Sequence, residues 1–349
     1  MSQCRAPPNI ALIKYWGKSD DLINAPHNDS LSLTLDTNVL CSTCMVQPSS
    51  TDEDLFYLND QPSPISSRLS RQLLHIRQKT GNSQSLLIKS SNNFPTAAGL
   101  ASSASGYAAM AGALTHFLCP SLDPDHCSIL ARLGSGSASR SIHGGLVRWS
   151  SSHPFSALQV LPAEQLESLR VLVLVFSGEE KEIGSSQGMK ITAETCASFK
   201  TRKERAHNRL EKMIDSFKSQ NWASVFELTM NDSDDLHQMC RDSTPSINYL
   251  SSSSIKLINS VQRINSLFNT ICGYTFDAGP NGFVIFHKEN INVVVDEISK
   301  DFPDLNSYYH LINDYEAKSS VTETEHTEII NVYYSSIGDG LTCNHYQTK

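Results

Sequence analysis

Residues 90–106 read SSNNFPTAAGLASSASG, and this stretch decides how the rest of the sequence is interpreted. From Ala97 onward its residues are small, apart from Leu100, so the backbone can lie close to a bulky anion without side-chain clashes. The alanine-rich segment that follows predicts a helix beginning at Ser102 or Ser103. Because the first N–H groups of a helix are free and carry the positive end of its dipole, the stretch predicts a phosphate-binding loop.

Two other interpretations of this stretch must be considered on composition. A flexible Ser/Ala linker conflicts with the apolar side chains of Phe94, Tyr107 and Met110. A small-residue helix packed against a neighbour fits the same residues. The stretch matches neither the Walker pattern nor GxGxxG, so its spacing alone does not identify a nucleotide.

The chain has 349 residues, of which 39% are hydrophobic, and a formal net charge of −8. The length predicts two domains or one large one. The acidic balance argues against nucleic acid or an anionic membrane as the main partner. A bound polyanion would therefore need locally concentrated positive charge, which Lys14, Lys18, Arg68 and Arg140 supply beside the motifs.

Nine cysteines are scattered along the chain, and its beginning does not read as a signal peptide. This pattern predicts free thiols in a reducing, cytoplasmic location. Cys41 and Cys44 form one CxxC within a strand-like run, without a second pair, which favours ordinary thiols over a zinc or redox site. No apolar run approaches the ~18–20 residues of a membrane-spanning helix.

The patterning predicts an α+β fold. Residues 30–45 alternate like one long strand, residues 171–176 (VLVLVF) predict a buried strand, and residues 190–219 predict one long charged helix. The first half is rich in strands with inserted helices, and the second is mainly helical with a few strands. We place the domain boundary after residue 175, which gives domains 1–175 and 176–349.

Three further stretches have residue types suited to catalysis. KYWGK (14–18) sets two lysines beside a tyrosine and a tryptophan, although a surface lysine pair would look the same. GSGSASRS (134–141) combines backbone N–H groups and hydroxyls with Arg140, a bidentate partner for carboxylate or phosphate, although a mobile loop remains an alternative. YTFDAGPNG (274–282) holds Asp277 at a strand end, where it could also be a turn former. Together the stretches predict an enzyme that binds two phosphorylated partners.

In their order along the chain, APPNIALIKYWGK, NNFPTAAGLASSASGYAAM, GSGSASRSIHGG, SSQGMKIT and DAGPNG resemble the mevalonate diphosphate decarboxylases of the GHMP kinase superfamily. This resemblance covers almost the whole chain. It implies the GHMP kinase fold, with an N-terminal domain like ribosomal protein S5 domain 2, a ferredoxin-like C-terminal domain and the active site in the cleft between them. It also implies that ATP phosphorylates the 3-hydroxyl of (R)-5-diphosphomevalonate, after which phosphate and CO2 leave to give isopentenyl diphosphate.

The resemblance also implies roles for individual residues. Asp277 would act as base or orienting group at the 3-hydroxyl, with Lys18 beside it, and Arg140 would hold the substrate carboxylate. The implied substrate site comprises Asn9, Tyr15, Trp16, Gly17, Lys18, Arg68, Ser135, Gly136, Ser137, Ala138, Ser139, Arg140, Ser185 and Ser186. The implied ATP phosphate loop comprises Pro95, Ala97, Ala98, Gly99, Leu100, Ala101, Ser102 and Ser103. Mg2+ would bridge the phosphates, through ligands that the sequence does not identify.

The resemblance further implies a cytoplasmic homodimer. Asp29, Ser139, His143 and Gly282 differ from the residues usual in the family, so their effect on specificity is open. Two alternative functions also remain: a GHMP kinase that phosphorylates mevalonate or a relative without decarboxylation, and a catalytically silent binding protein with the same fold.

Overall fold

The computed structural model of the chain describes residues 1–94, 102–179, 181–308 and 328–345. Most of the predicted phosphate loop, from Pro95 to Ala101, therefore lies outside the described residues. No helix in the described parts of the chain is long and apolar enough to cross a membrane.

Strands and helices alternate along the described residues. The strands are β1 (Ser2–Ala6), β2 (Asn9–Ile13), β3 (Lys18–Asp20), β4 (Ala25–Pro26), β5 (Ser30–Thr34), β6 (Ser42–Pro48), β7 (Leu55–Leu58), β8 (Gln61–Ser63), β9 (Leu86–Asn92), β10 (Leu146–Trp149), β11 (Ala157–Leu161), β12 (Leu169–Val175), β13 (Cys272–Phe276), β14 (Gly282–His287), β15 (Asn331–Ser335) and β16 (Thr342–His345). The α-helices are α1 (Ser67–Thr80), α2 (Ser102–Leu118), α3 (Pro124–Gly134), α4 (Ser185–Thr195), α5 (Arg202–Lys218), α6 (Trp222–Arg241), α7 (Ser252–Phe268) and α8 (Ile291–Ser299).

The first sheet has the strand order β16-β1-β6-β9-β7-β8, and α1, α2 and α3 share its apolar core. Helix α2 begins at Ser102, as predicted. Ala104, Ala108 and Ala111 on this helix are completely buried, and their small size lets the helix lie close to β1 and β6. Residues 102–118 are therefore a closely packed helix.

The second sheet has the order β11-β10-β5-β2. The single strand predicted over residues 30–45 is wrong, because β5 belongs to this sheet and β6 belongs to the first. A turn at Asp36 separates them: its backbone carbonyl accepts hydrogen bonds from the N–H groups of Val39 and Leu40, and its carboxylate accepts one from the Asn38 N–H. Alternating polarity predicted strand structure correctly, but it did not reveal this turn.

The third sheet is antiparallel, with the order β13-β14-β12-β15. With α4 to α7 between β12 and β13, and α8 between β14 and β15, the element order is the β-α-β-β-α-β order of a ferredoxin-like domain. The valines of β12 face a core shared with α5, α6 and the second sheet, whereas Leu172 and Leu174 face α7 and α8. The two halves of the chain therefore share one apolar core, and the predicted α+β, two-domain class is confirmed.

Strand β12 lies in the third sheet and β16 lies in the first. The division after residue 175 stays a prediction. Two other predictions need correction. The long helix predicted over residues 190–219 is interrupted after Thr195, and α5 begins only at Arg202. Cys4 and Cys343 stand opposite each other in β1 and β16 and form a disulfide, whereas free thiols were expected.

Candidate active site

A cavity of about 570 Å³ is lined by residues from both halves of the chain. Its walls come from the segment after β2, the first turn of α2, residues 134–140, the first turn of α4 and the turn after β13. Of the residues predicted to form the site, those that line the cavity are Tyr15, Trp16, Lys18, Arg68, Ser102, Ser103, Ser135, Gly136, Ser137, Arg140, Ser185, Ser186 and Asp277. The four predicted stretches thus meet at one place.

Asp277 directly follows β13, and its carboxylate forms an ion pair with Lys14. The Lys14 Nζ lies 2.7 Å from the Asp277 Oδ1. The Lys14 side chain is 2% exposed, whereas 31% of the Asp277 side chain remains open. Burial by itself raises the pKa of the Asp277 carboxyl, but the charges of Lys14, Lys181 and Arg140 outweigh that effect and hold the pKa below its usual range. Asp277 is therefore ionised at neutral pH and faces the cavity.

The structure corrects the predicted pairing of Lys18 with Asp277. The Lys18 Nζ lies 3.1 Å from the Asp21 Oδ1, on the exposed side of β3. The chain turns between the two lysines at Gly17, whose φ of +96° is disfavoured for residues with a side chain. Both lysines line the cavity, but the Lys14 ammonium is the one that contacts the Asp277 carboxylate.

Arg140 lies in a 3₁₀-helix (Gly136–Ile142) and is 3% exposed. Its Nε donates to the Asn9 Oδ1 at 3.0 Å and its Nη1 donates to the Ser30 Oγ at 2.8 Å, while the guanidinium lies over the Trp149 ring. Burial lowers the pKa of Arg140 to about 10, so the group stays charged at neutral pH. Within the described ranges, no carboxylate lies within ion-pair distance of it. Arg140 is thus a buried cation, on the cavity wall, that is held by neutral partners.

Serine hydroxyls cluster where α2 begins. The Ser103 Oγ lies 3.4 Å from the Ser135 Oγ, which in turn lies 3.4 Å from the Ser137 Oγ. These hydroxyls line the cavity beside the free N–H groups of the first turn of α2, an arrangement that suits phosphate oxygens.

The side chains that line the cavity also indicate how a metal ion could be held there. The described residues contain no group of three or more His, Cys, Asp or Glu side chains that could hold one. Mg2+ usually keeps several water ligands and binds through phosphate oxygens and one or two protein oxygens. The serine hydroxyls therefore fit a phosphate-bound Mg2+ better than an ion held by the protein alone.

Tyr15 and Trp16 line the same cavity. The Tyr15 hydroxyl and the Trp16 Nε1 are buried, and no hydrogen-bond partner occurs for either among the described residues. Burial also raises the pKa of the Tyr15 hydroxyl, so that it remains a neutral donor. Both side chains line the cavity, while these two polar atoms lie beneath its surface.

Four of the predicted substrate residues do not line the cavity. Asn9 stands behind the wall and orients Arg140, while Ala138 is in the apolar core. The Ser139 hydroxyl is fully buried and donates to the Gly136 carbonyl at 2.7 Å. Gly17 forms the turn described above. We therefore expect these residues to shape the wall rather than to contact a ligand.

Sequence reasoning misassigned one cavity cation and left out another. Lys14 was noted within KYWGK, but the role at Asp277 was given to Lys18. Lys181 also lines the cavity and lowers the pKa of Asp277. It lies among glutamates, outside every stretch that the sequence analysis singled out, so a solvated surface lysine was the natural expectation.

Comparisons with known proteins agree across the whole chain. Residues 6–157 match the family model described as "Diphosphomevalonate decarboxylase-like N-terminal domain". Residues 171–343 match "Mevalonate 5-diphosphate decarboxylase C-terminal domain". A diphosphomevalonate decarboxylase from Danio rerio is 39% identical over 324 residues, which cover 87% of this chain and 80% of that protein.

Solved structures of mevalonate diphosphate decarboxylases also match this chain. The mevalonate diphosphate decarboxylase from Trypanosoma brucei is 31% identical, with a TM-score of 0.88 over 99% of this chain and 98% of that one. A structure of MDDEF in complex with MVAPP, AMPPCP and magnesium is 30% identical, with a TM-score of 0.84 over 99% of each chain. On its fold, its cavity and its matches to both family domains, this chain belongs to the diphosphomevalonate decarboxylase family.

Proposed function

We propose that this chain decarboxylates (R)-5-diphosphomevalonate with consumption of ATP, giving isopentenyl diphosphate, ADP, phosphate and CO2. The observation that carries the proposal is that Asp277, an ionised carboxylate, and Arg140, a buried cation with no carboxylate partner among the described residues, open onto one cavity. The substrate carries its carboxylate and its 3-hydroxyl two carbons apart. The Arg140 guanidinium can pair with the carboxylate, and the Asp277 carboxylate can accept a hydrogen bond from the 3-hydroxyl.

Arg140 binds the substrate carboxylate. Its planar guanidinium can form two parallel hydrogen bonds with a carboxylate, and Asn9 and Ser30 already fix its orientation. Transfer of the arginine into the protein interior is unfavourable, and a bound carboxylate offsets part of that cost. Lys18 and Arg68 supply donors for the diphosphate, and Tyr15 and Trp16 line the cavity with them.

Asp277 accepts the hydrogen bond of the 3-hydroxyl and orients that oxygen toward the γ-phosphate of ATP. Its lowered pKa makes it a weak base but a fully ionised acceptor, which suits phosphoryl transfer through a loose transition state. The Lys14 ammonium holds the carboxylate in place. Lys181 adds positive charge where the phosphoryl group passes.

ATP binds with its phosphates at the first turn of α2, where Ser102 and Ser103 lie on the cavity wall. Bound Mg2+ neutralises charge on the ATP phosphates and helps to orient them. In the relative described above, AMPPCP and magnesium occupy the protein together with MVAPP. The segment from Pro95 to Ala101 is proposed as the rest of the phosphate loop.

Phosphorylation turns the 3-hydroxyl into a good leaving group. When the 3-phosphate departs with the electron pair of its C3–O bond, positive charge grows at C3. The electron pair of the C1–C2 bond then forms the C2–C3 double bond, and C1 leaves as CO2. Arg140 keeps the carboxylate ionised and in position until that bond breaks.

The proposal is tested with the purified full chain, Mg2+ and ATP. We expect one CO2 and one ADP for each diphosphomevalonate consumed, and little turnover of mevalonate or its monophosphate. ADP formation with a stable 3-phosphate and no CO2 would support the kinase alternative. Absence of ADP with all three compounds would support a silent binding protein.

We also propose a homodimer and a cytoplasmic location. Light scattering on the purified chain measures the mass, for which 38.5 kDa is the monomer value. A monomer at assay concentration would contradict the first proposal, and a labelled protein found inside an organelle would contradict the second.

A further inference from the structure

We propose that Arg202, Asp232 and Asn28 position Lys14 for catalysis by holding its backbone; we call these three residues the Lys14 clamp. None of the three lines the cavity, so they are positioning residues rather than catalytic ones. The inference rests on the proposed function, because it assigns the clamp to the Lys14–Asp277 pair of that reaction.

The clamp binds both polar groups of the Lys14 peptide. The Lys14 N–H donates to the Asp232 Oδ1 at 2.8 Å. The Lys14 carbonyl accepts from the Arg202 Nη2 at 2.9 Å and from the Asn28 Nδ2 at 3.0 Å. The Arg202 Nη2 also donates to the Asp232 Oδ1 at 2.7 Å, which closes a ring of hydrogen bonds around Lys14.

The residues that form this ring of hydrogen bonds are buried. The side chains of Arg202 and Asp232 are both 0% exposed, and Asn28 is also fully buried. Burial raises the pKa of Asp232, but Arg202 outweighs it, so that the aspartate is ionised. A buried ion pair is often no better for stability than apolar residues of similar size. Arg202 and Asp232, however, also form hydrogen bonds with the backbone of Lys14, a residue of the active site.

Lys14 needs such support because it has no strand partner. The pairing of β2 with β5 ends at Ile13, directly before Lys14. Its N–H and carbonyl would otherwise lie in the interior without partners, which proteins generally avoid. Arg202 and Asp232 come from α5 and α6 in the C-terminal half, so the clamp joins the lysine to the half that carries Asp277.

The charged groups around Asp277 and Asp232 determine what displacement of Lys14 would change. Asp277 faces Lys14, Lys181 and Arg140, together with His237 of α6. Burial lowers the pKa of His237 to about 3, so this ring is neutral throughout the assay range. Asp232 faces Arg202 and Arg209, which do not lie on the cavity wall. Displacement of Lys14 would therefore remove the partner that contacts the Asp277 carboxylate.

The test is the variant Arg202→Lys in the full chain, which keeps the positive charge but cannot reach the Lys14 carbonyl and both Asp232 oxygens together. We expect kcat to fall by about tenfold or more, with both KM values within about twofold, since one preorganised electrostatic contact can contribute that much. Displacement of the Lys14 ammonium away from Asp277 raises the pKa of that carboxyl. The acidic limb of the kcat–pH profile should therefore move to higher pH.

Arg205→Lys is the matched control. Arg205 belongs to the same charged cluster and pairs with Asp235, but it does not contact Lys14. We expect its kcat and acidic limb to match those of the parent protein. If the two variants shifted the limb equally, or if Arg202→Lys left it unmoved, the clamp would have no positioning role.

Asn28→Ala provides a second variant if Arg202→Lys does not fold. It removes one donor to the Lys14 carbonyl without changing any charge. We expect a smaller shift of the acidic limb in the same direction, and an unshifted limb in a folded protein would overturn the proposal. Loss of CO2 release by the parent protein would instead contradict the proposed function, so the two failures can be distinguished.

Discussion

The Lys14 Nζ lies 2.7 Å from the carboxylate of Asp277, although the two residues are 263 positions apart in the chain. They belong to opposite halves of the molecule, which share one apolar core. The pair therefore exists only when the halves are packed together. This dependence underlies the first two predictions.

Asp277→Asn should abolish turnover while leaving ligand binding intact. The amide keeps the size of the side chain but cannot accept a proton or pair with the Lys14 ammonium. We expect kcat to fall about 10²- to 10⁴-fold, the usual effect of losing such a group. Titration calorimetry with ATP and with diphosphomevalonate checks binding, and turnover close to that of the parent protein would remove Asp277 from the reaction.

Lys14→Met and Lys18→Met should differ in their pH profiles. The Lys14 ammonium lowers the pKa of Asp277, so its loss raises that pKa, and activity should disappear at a higher pH as the medium is acidified. The Lys18 ammonium pairs with Asp21, so its loss should leave the acidic limb in place and raise the KM for diphosphomevalonate. Steady-state kinetics between about pH 5 and 8 measure both effects. The opposite pattern would restore Lys18 as the partner of Asp277.

Arg140→Lys should weaken recognition of the substrate carboxylate. Lysine retains the charge but lacks the planar fork and cannot contact both Asn9 and Ser30. Loss of one hydrogen bond to a charged group removes about 1.5–3 kcal/mol, so we expect kcat/KM for diphosphomevalonate to fall at least about tenfold. The affinity for ATP in the absence of substrate serves as the control, and an equal loss there would argue for a general distortion.

Reduction of the Cys4–Cys343 disulfide should lower stability without changing the cavity. The bridge closes a loop of 339 residues and, in the chain-entropy account, contributes about 6 kcal/mol, whereas a typical disulfide contributes about 2–4 kcal/mol. Thermal unfolding with and without dithiothreitol measures the effect, and Cys119→Ser, which alters a free cysteine, is the control. Identical midpoints under both conditions would show that the bridge does not stabilise the protein.

Gly17→Ala should destabilise the turn between the two lysines. Gly17 has a φ of +96°, and an added Cβ would lie 2.5 Å from a ring carbon of Phe199. Backbone strain of this kind costs about 1–3 kcal/mol before the clash is counted. Gly81→Ala is the matched control, since its φ is +68° but no atom lies within 4 Å of the added Cβ. Urea unfolding should show a clearly larger loss for Gly17→Ala.

Local patterns identified much of the cavity. Ser102, Arg140 and Asp277 were found because a helix start, a glycine-rich segment and a strand-end turn each have their own local composition. The partner of Asp277 could not be found in this way. Lys14 and Lys18 belong to one short motif, and only the turn at Gly17 decides which ammonium reaches the carboxylate.

Long-range pairings escaped sequence reasoning for a similar reason. Arg202 and Asp232 look like ordinary charges on amphipathic helices, and nothing in their neighbourhood shows that they enclose the Lys14 peptide. Strand β16 was missed because four residues carry too little periodicity, and its contact with β1 spans almost the whole chain. In each case the interaction is decided by tertiary packing.

The position of β16 has a consequence for the nascent chain. Strand β1 pairs with β6 on one side and with β16 on the other. The edge that faces β16 therefore stays uncovered until residues 342–345 have been synthesised. An uncovered strand edge readily pairs with the wrong partner. Translation of this protein thus leaves one edge of β1 in need of protection, by a chaperone or by fast synthesis, during the interval between the synthesis of β1 and that of β16.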